Sequence, residues 1–130
     1  MKTDFLQEPR VFYVLEGSRA IKDFGKIKLD PREMISFQTE SGRECDFTAT
    51  EWGFYPTPSV NRRLKAQGFK TALVRYDQDK LQINVVEEDK MADFEAYLSL
   101  HDPAPKVVLW LDELSDRHLK AIEKTRREIL

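Results

Sequence analysis

The chain has 130 residues, enough for one domain with a single core, and 21 basic against 23 acidic residues leave a net charge of −2. Proteins that bind nucleic acid mainly through charge carry a basic excess, so this balance disfavours that class. The only cysteine, Cys45, excludes an intramolecular disulfide and argues against structural zinc. We expect a cytoplasmic protein with no cofactor, no metal and no membrane-spanning segment.

The N-terminal part of the chain predicts two strands. Residues 10–15 form a β-branched and aromatic run, and residues 19–29 form a second strand after the turn at Gly17. Gly25 interrupts this second strand, which predicts a bulge or a sharp bend there. Pro31 ends the segment, because proline cannot donate to a strand ladder.

A β-hairpin is the clearest prediction in the first half of the chain. Apolar and polar residues alternate in 35–40 and again in 45–50, on either side of a turn at Gly42. This period-two pattern predicts that one face of the hairpin is buried. The predicted core side chains on that face are Phe37, Cys45 and Phe47.

Residues 51–69 connect the two halves of the chain. We expect residues 52–57 to leave the sheet and a helix of about ten residues to follow. Thr57 has the character of an N-cap, and Pro58 is suited to the first helical position. Leu64 would face inward, and Gly68 would end the helix.

The second half predicts strands alternating with helices. Residues 69–76 and 80–87 form a second hairpin, in which Leu81, Ile83 and Val85 mark a buried face. A helix follows from Lys90 to the prolines after His101. The apolar run 106–111 predicts a strand buried on both faces, and residues 115–128 predict a final helix with a thin apolar stripe.

These elements together predict an α+β fold. We expect one domain spanning residues 1–130, with a largely antiparallel sheet built from hairpins and two or three helices packed on it. The helix at 115–128 would be peripheral or would lie at an oligomer contact, which leaves a homo-oligomer open.

The connection 51–69 also holds the candidate binding site. A helix N-terminus offers unpaired N–H groups to an anion, arginines can clamp it, and aromatic rings can stack on a planar ligand. The structural alternative is that Thr57 only caps the helix and the aromatics fill the space beneath it. The candidate ligand or partner residues are Trp52, Tyr55, Ser59, Asn61, Arg62 and Arg63.

The sequence favours binding over catalysis, and no catalytic residue is predicted. The glycines do not form a phosphate-binding loop. By strand alternation Cys45 points into the core, and the spacing of His101 and His118 does not indicate a Cys–His pair or a metal site.

Three functions follow from these patterns. The leading hypothesis is a small cytoplasmic module that binds another protein or supports an assembly. The first alternative is a protein or enzyme that binds an anionic small molecule or nucleotide at the helix start, residues 57–63. The second is single-stranded nucleic-acid binding through the aromatics and nearby basic residues, which the acidic balance disfavours.

Overall fold

The computed structural model describes residues 1–129, so Leu130, the last residue of the predicted domain, lies outside it. The fold is α+β and rich in strands: the described residues form eight strands in antiparallel sheets and three α-helices. They group into two compact units, unit 1 from Met1 to Thr57 and unit 2 from Pro58 onward. None of the helices in residues 1–129 has the length and apolar character needed to cross a membrane.

Unit 1 consists of strands only. Its first two strands form a two-stranded ribbon and its other three form a sheet in the order β3–β4–β5. The strands are β1 (Lys2–Val14), β2 (Arg19–Lys28), β3 (Met34–Gln38), β4 (Glu44–Thr50) and β5 (Gly53–Pro56).

The ribbon is longer than the sequence predicts, because β1 begins at Lys2 instead of near Arg10. The bulge expected at Gly25 is present. The register jumps between the pair Phe5–Gly25 and the pair Arg10–Asp23, so four residues of β1 oppose one residue of β2. Gly25 has φ of 118°, and a Cβ there would collide with the backbone oxygen of Asp4, so glycine is required at this position.

The sheet of unit 1 differs from the prediction in two ways. The aromatic segment after Trp52 does not leave the sheet but forms the edge strand β5, in which Pro56 is tolerated because an edge strand is paired on one side. Cys45 is buried as predicted, but Phe37 is 55% exposed instead of lying in a core. Phe47, also predicted for the core, is half-buried. The alternation thus identifies the apolar face, but unit 1 covers only part of it.

Unit 2 combines a three-stranded sheet, in the order β7–β6–β8, with three helices. Short 3₁₀ turns at Glu88–Lys90 and Leu111–Glu113 precede α2 and α3. The elements are α1 (Arg63–Ala66), β6 (Phe69–Tyr76), β7 (Lys80–Glu87), α2 (Met91–Ser99), β8 (Lys106–Trp110) and α3 (Asp116–Ile129).

The core of unit 2 is centred on β6, the middle strand. The buried residues of this strand are Phe69, Thr71, Ala72 and Val74, and Leu64 of α1 is also fully buried, as predicted. β8 is paired only with β6. It is therefore an edge strand, and the prediction that it is buried on both faces is wrong, since Val108 is half exposed.

The buried face predicted for β7 is also wrong. Leu81, Ile83 and Val85 are exposed, whereas Val86 on the other face is buried. The reason is the position of α2: its residues Tyr97 and Leu98 lie over the face of the sheet that carries Val74 and Asn84. The apolar alternation identified the strand, but the helix covers the opposite side.

The predicted ten-residue helix at the start of unit 2 is wrong as well. α1 is a single turn that begins at Arg63, and no side chain caps it. Thr57 does not act as an N-cap, because its N–H donates to the carbonyl oxygen of Asp46 and its hydroxyl bonds to that of Thr48. Thr57 is therefore bonded to strand β4 and does not cap a helix.

The final helix α3 follows the prediction closely. It covers Asp116–Ile129, and none of its residues is buried. Ser115 caps it: the N–H of His118 donates to the Ser115 hydroxyl, and the Ser115 N–H donates to Nδ1 of His118.

Candidate functional site

An open apolar groove of about 430 Å³ lies on one face of the β3–β4–β5 sheet in unit 1. The ring of Phe47 is at its centre, with edge-to-face contacts to Phe37 at 5.5 Å and to Phe54 at 6.5 Å between centroids. Aromatic residues in this arrangement present a large hydrophobic area with few polar atoms. The apolar side chains that line the groove are Ile27, Leu29, Ile35, Phe37, Phe47, Ala49 and Phe54.

The ribbon continues this apolar surface. Strand alternation places Phe12 and Ile21, which are directly opposed, on the same face as Ile27 of the groove. The same face carries a cross-strand salt bridge in which Arg10 Nη2 lies 3.0 Å from Asp23 Oδ2. We call the side chains of this face the apolar ribbon face: Thr3, Phe5, Arg10, Phe12, Val14, Arg19, Ile21, Asp23 and Ile27.

The opposite face of the ribbon is basic. Alternation along β2 places Lys22, Lys26 and Lys28 there, and Lys2 of β1 is directly opposite Lys28. Lysine side chains are strongly hydrated, so this face is suited to water. The ribbon therefore separates its lysines from the apolar ribbon face, but the lysine face is not purely polar. It also carries Asp4 and the exposed side chains of Val11, Tyr13 and Phe24.

The sequence-predicted residues Trp52 and Tyr55 also belong to unit 1, but they lie on the other face of the sheet. Tyr55 is paired with Thr48, whereas Phe54 is paired with Ala49 beside the groove. The rings of Trp52 and Tyr55 stack at 5.9 Å with an interplanar angle of 24°. Trp52 is 74% exposed. The two aromatics are a stacked surface pair and do not fill the space beneath a helix.

The other four candidate residues, Ser59, Asn61, Arg62 and Arg63, belong to unit 2. The carbonyl oxygen of Ser59 accepts hydrogen bonds from the N–H groups of Arg62 and Leu64, which stabilises the turn before α1. Arg63 is exposed and is the first residue of α1. The structure brings only Asn61 and Arg62 together in a cavity.

That second cavity has a volume of about 440 Å³ and lies entirely within unit 2. Its acidic residues are already paired with lysines: Lys70 Nζ lies 3.0 Å from Asp112 Oδ2 and 2.9 Å from Glu113 Oε1, and Lys120 Nζ lies 2.9 Å from Asp116 Oδ2. The polar and charged residues that line it are Asn61, Arg62, Lys65, Asp112, Glu113, Ser115 and Asp116.

Asp112 is the structural centre of this region. Its side chain is fully buried, and Oδ1 accepts a hydrogen bond from the N–H of Thr71 at 2.8 Å. Burial lowers the pKa of Lys70, but its hydrogen bonds to Glu113 and Asp112 outweigh that effect, so the pKa lies above its ordinary value. Lys70 therefore stays charged and balances the buried carboxylate, which is a stabilising role.

Cys45 and the two histidines have structural roles. Burial, followed by the charge of Asp46, raises the pKa of the Cys45 thiol, which disfavours the nucleophilic thiolate. His101 Nδ1 lies 3.3 Å from the carbonyl oxygen of Tyr97, at the end of α2, and His118 takes part in the cap of α3. Among residues 1–129, no three or more His, Cys, Asp or Glu side chains are grouped so as to hold a metal ion.

Reasoning from sequence missed the apolar ribbon face. In residues 10–14 both faces carry apolar side chains, so period-two alternation is not visible in β1. The signal lies in β2 instead, where Ile21, Asp23, Gly25 and Ile27 alternate with lysines and Phe24. The register of the ribbon was needed to show which residues of β1 share that face.

Comparisons with known proteins found no match for this chain among protein-family models, curated proteins or solved structures. The groove and the apolar ribbon face can bind an apolar partner surface by hydrophobic burial, whereas the unit 2 cavity offers mainly polar and charged groups.

Proposed function

We propose that the protein is a non-catalytic binding or assembly module that docks a protein partner through the apolar surface of unit 1, defined as the groove together with the apolar ribbon face. The observation that carries this proposal is the open apolar groove, which is lined both by the β3–β4–β5 sheet and by Ile27 at the end of the ribbon strand β2. In unit 1, Cys45 and Ala49 are the described apolar residues that are buried. Contiguous exposed apolar patches of this kind mark interaction sites in globular proteins.

The open shape of the groove favours a protein partner over a small molecule. It is an open depression on a sheet face, whereas sites for small molecules bury most of the ligand in a concave pocket with convergent polar groups. Phe37 and Phe54 line the groove and are exposed, so their rings can act as anchors in a pocket of the partner. Aromatic anchors of this type dominate the free energy of protein–protein association.

Phe54 and Trp52 provide a matched pair of variants to test the proposal. They are 73% and 74% exposed and lie on opposite faces of the same sheet, so Phe54→Ser and Trp52→Ser remove comparable exposed apolar area. A partner identified by cross-linking to the full chain would be purified and its Kd measured by calorimetry. We expect Phe54→Ser to raise the Kd at least about tenfold and Trp52→Ser to leave it unchanged.

The opposite pattern would contradict the proposal. If Trp52→Ser weakened the complex and Phe54→Ser did not, the partner would dock on the stacked pair Trp52–Tyr55, as the sequence-based hypothesis holds. Circular dichroism of both variants would show that neither substitution unfolds unit 1.

The cavity of unit 2 supports a second candidate function, binding of an anionic small molecule. Among residues 1–129, the side chain of Arg62 has no ion-pair partner, whereas the acidic residues of the cavity are paired with Lys70 and Lys120. The arginine is thus available to clamp a phosphate or carboxylate. It ranks second because three carboxylates also line the cavity and oppose an anion there.

A thermal-shift series with phosphorylated metabolites would test this second candidate. A true ligand should raise the unfolding temperature with concentration, and Arg62→Ala should abolish the rise. Arg117→Ala, an exposed arginine outside the cavity lining, should respond as the unaltered protein does. If the unfolding temperatures of the unaltered chain and of Arg62→Ala rose equally, the proposal that Arg62 clamps the ligand would be wrong.

A further inference from the structure

We infer that the partner of the apolar ribbon face is the same face of a second copy of this chain, with Arg10 and Asp23 of each copy pairing with Asp23 and Arg10 of the other across a two-fold axis. This inference rests on the proposed function, since it names the partner of the same surface. It does not involve the cavity of unit 2.

The first argument is that the ribbon lacks a covering layer. A two-stranded ribbon on its own is at best marginally stable in water, and it becomes stable when a hydrophobic face is packed against another layer. Among the described residues 1–129, β1 and β2 pair only with each other. Phe5, Phe12 and Ile21 on the apolar ribbon face are therefore exposed along a ribbon whose stability requires their burial.

The second argument is the charge of the apolar ribbon face. Arg10 and Asp23 are directly opposite each other in the middle of this face, one cation beside one anion. A two-fold axis brings the same patch of each copy together, so a patch is self-complementary when each charge meets its opposite. One balanced pair in an apolar surround satisfies that condition.

The ends of the face are consistent with this arrangement. Arg19 lies at the tip of the ribbon opposite Val14, where its guanidinium donates to the carbonyl oxygen of Ser18. It is thus at the rim of a contact centred on Arg10 and Asp23, where water can hydrate it. The guanidinium of Arg10 lies 5.5 Å from the centre of the Phe12 ring, which keeps the cation above an apolar residue of the same face.

The third argument is area. A standard interface buries roughly 800 Å² on each partner. Taking about 200 Å² for a fully exposed large side chain, the four large side chains of the apolar ribbon face expose roughly 370 Å². Phe37 and Phe54 of the groove raise the total for the unit 1 apolar surface to roughly 600 Å², so a contact of standard size covers both parts. Neighbouring residues such as Leu29 and Ile35 add to this area. The six, between 38% and 73% exposed, are Phe5, Phe12, Ile21, Ile27, Phe37 and Phe54.

The other ways in which two ribbons could associate are opposed by charge and backbone chemistry. The opposite face carries four lysines, Lys2, Lys22, Lys26 and Lys28, against one acidic residue, Asp4, so packing two copies through it would bring like charges together. Edge-to-edge pairing along β1 would meet the bulge and Pro9, which has no N–H to donate. Packing through the apolar ribbon face meets neither of these penalties.

A charge-exchange experiment on the full chain tests the reciprocal pairing. The unaltered chain is expected to be a dimer by analytical ultracentrifugation. Arg10→Asp gives a ribbon with two acidic residues at the centre of the face, and Asp23→Arg gives a ribbon with two basic residues. The dissociation constant of the dimer should be at least about tenfold higher for each variant alone, because like charges meet across the axis.

Mixing the two variants should restore a dimer that contains one chain of each, detected by native mass spectrometry. A salt bridge that acts only within a ribbon cannot produce this rescue, because each variant ribbon remains like-charged. Absence of the mixed dimer would overturn the inference. The double variant Arg10→Asp/Asp23→Arg keeps an opposite-charge pair in each ribbon and should dimerise as the unaltered chain does, which also shows that these positions tolerate the change.

Two further results separate this inference from the proposed function. A dimer whose dissociation does not respond to Arg10→Asp or Asp23→Arg would place the contact elsewhere, for example on α3, and would overturn the inference. A monomer that binds a different protein in a Phe54-dependent manner would overturn the inference and leave the proposed function standing. Lys22→Glu, on the lysine face, is the control that should leave the dimer unchanged.

Discussion

At the scale of single residues, burial and hydrogen bonding decide what each polar side chain can do. Asp112 is buried but has partners for both carboxylate oxygens, Thr71 N–H and Lys70. The hydroxyl of Thr71, also buried, has no hydrogen-bond partner within residues 1–129. A buried hydroxyl without a partner loses its hydration without compensation, at a cost of about 1–3 kcal/mol.

We predict that Thr71→Val stabilises the protein. Valine has nearly the same shape as threonine and removes the uncompensated hydroxyl, so the free energy of unfolding should rise by about 1 kcal/mol. Urea denaturation with an unchanged m-value would measure the gain.

Thr48→Val is the matched control for this prediction. The Thr48 hydroxyl is bonded to that of Thr57, so its removal leaves a polar group without its partner and should destabilise the protein. A loss of stability in Thr71→Val as large as that in the control would contradict the prediction, and would mean that the Thr71 hydroxyl makes a bond in solution.

At the scale of elements, the ribbon shows how register turns a weak sequence pattern into a surface. Residues 10–14 give no clear alternation, but pairing with β2 places Phe12 and Ile21 together and separates them from the lysines. Within the ribbon, Asp23 accepts hydrogen bonds from both strands. The N–H of Gly25 donates to Asp23 Oδ1 at 3.0 Å, and Arg10 donates to Oδ2.

These contacts make the ribbon sensitive to acid. The hydrogen bond from Gly25, followed by that from Arg10, holds the pKa of Asp23 below its ordinary value of 3.8. A carboxyl group with a depressed folded-state pKa stabilises the fold above the pKa of the unfolded chain, and this contribution disappears as the pH falls through the folded value.

We therefore predict that ribbon stability falls as the pH drops below about 4, and that Asp23→Asn flattens this dependence. Hydrogen exchange of the β1 and β2 amides, followed from neutral pH down to about pH 2, would measure it after correction for the intrinsic exchange rate. If amide protection in β1 and β2 changed with pH in the same way for the unaltered chain and for Asp23→Asn, the role assigned to Asp23 would be contradicted.

At the same scale, α1 shows how a local signal can be overridden. Thr57 and Pro58 have the sequence character of a helix start, but Thr57 is hydrogen-bonded to Asp46 and Thr48 of unit 1. The helix that remains is a single turn, too short to provide the N-terminal anion site expected at residues 57–63. Cap propensity is a local preference, and these longer-range bonds outweigh it.

At the scale of the whole molecule, the near-neutral charge hides a separation of charge within one element. A net charge of −2 disfavours binding of nucleic acid mainly through charge, yet the ribbon carries Lys2, Lys22, Lys26 and Lys28 on one side. Composition averages over the whole surface, whereas recognition depends on which charges share a face. The apolar residues are also distributed unevenly. Many of them line strand faces that are exposed within their own unit.

The sequence by itself determined the α+β class, most strand positions, the helices at 91–99 and 116–129, the turn glycines and the burial of Cys45 and Leu64. These features follow from local periodicity and backbone preferences, which a single sequence contains. It also located the aromatic segment after Trp52, but not its pairing as β5.

Only the tertiary structure decided which faces are covered. Alternation shows that a strand has an apolar side, but the layer that packs on it comes from distant parts of the chain, or from another chain. For this reason Phe37 and Leu81 are exposed where the sequence predicts a core, and Arg10 and Asp23 lie together on the apolar ribbon face. Burial is a property of the packed layers, and strand register and helix placement set it.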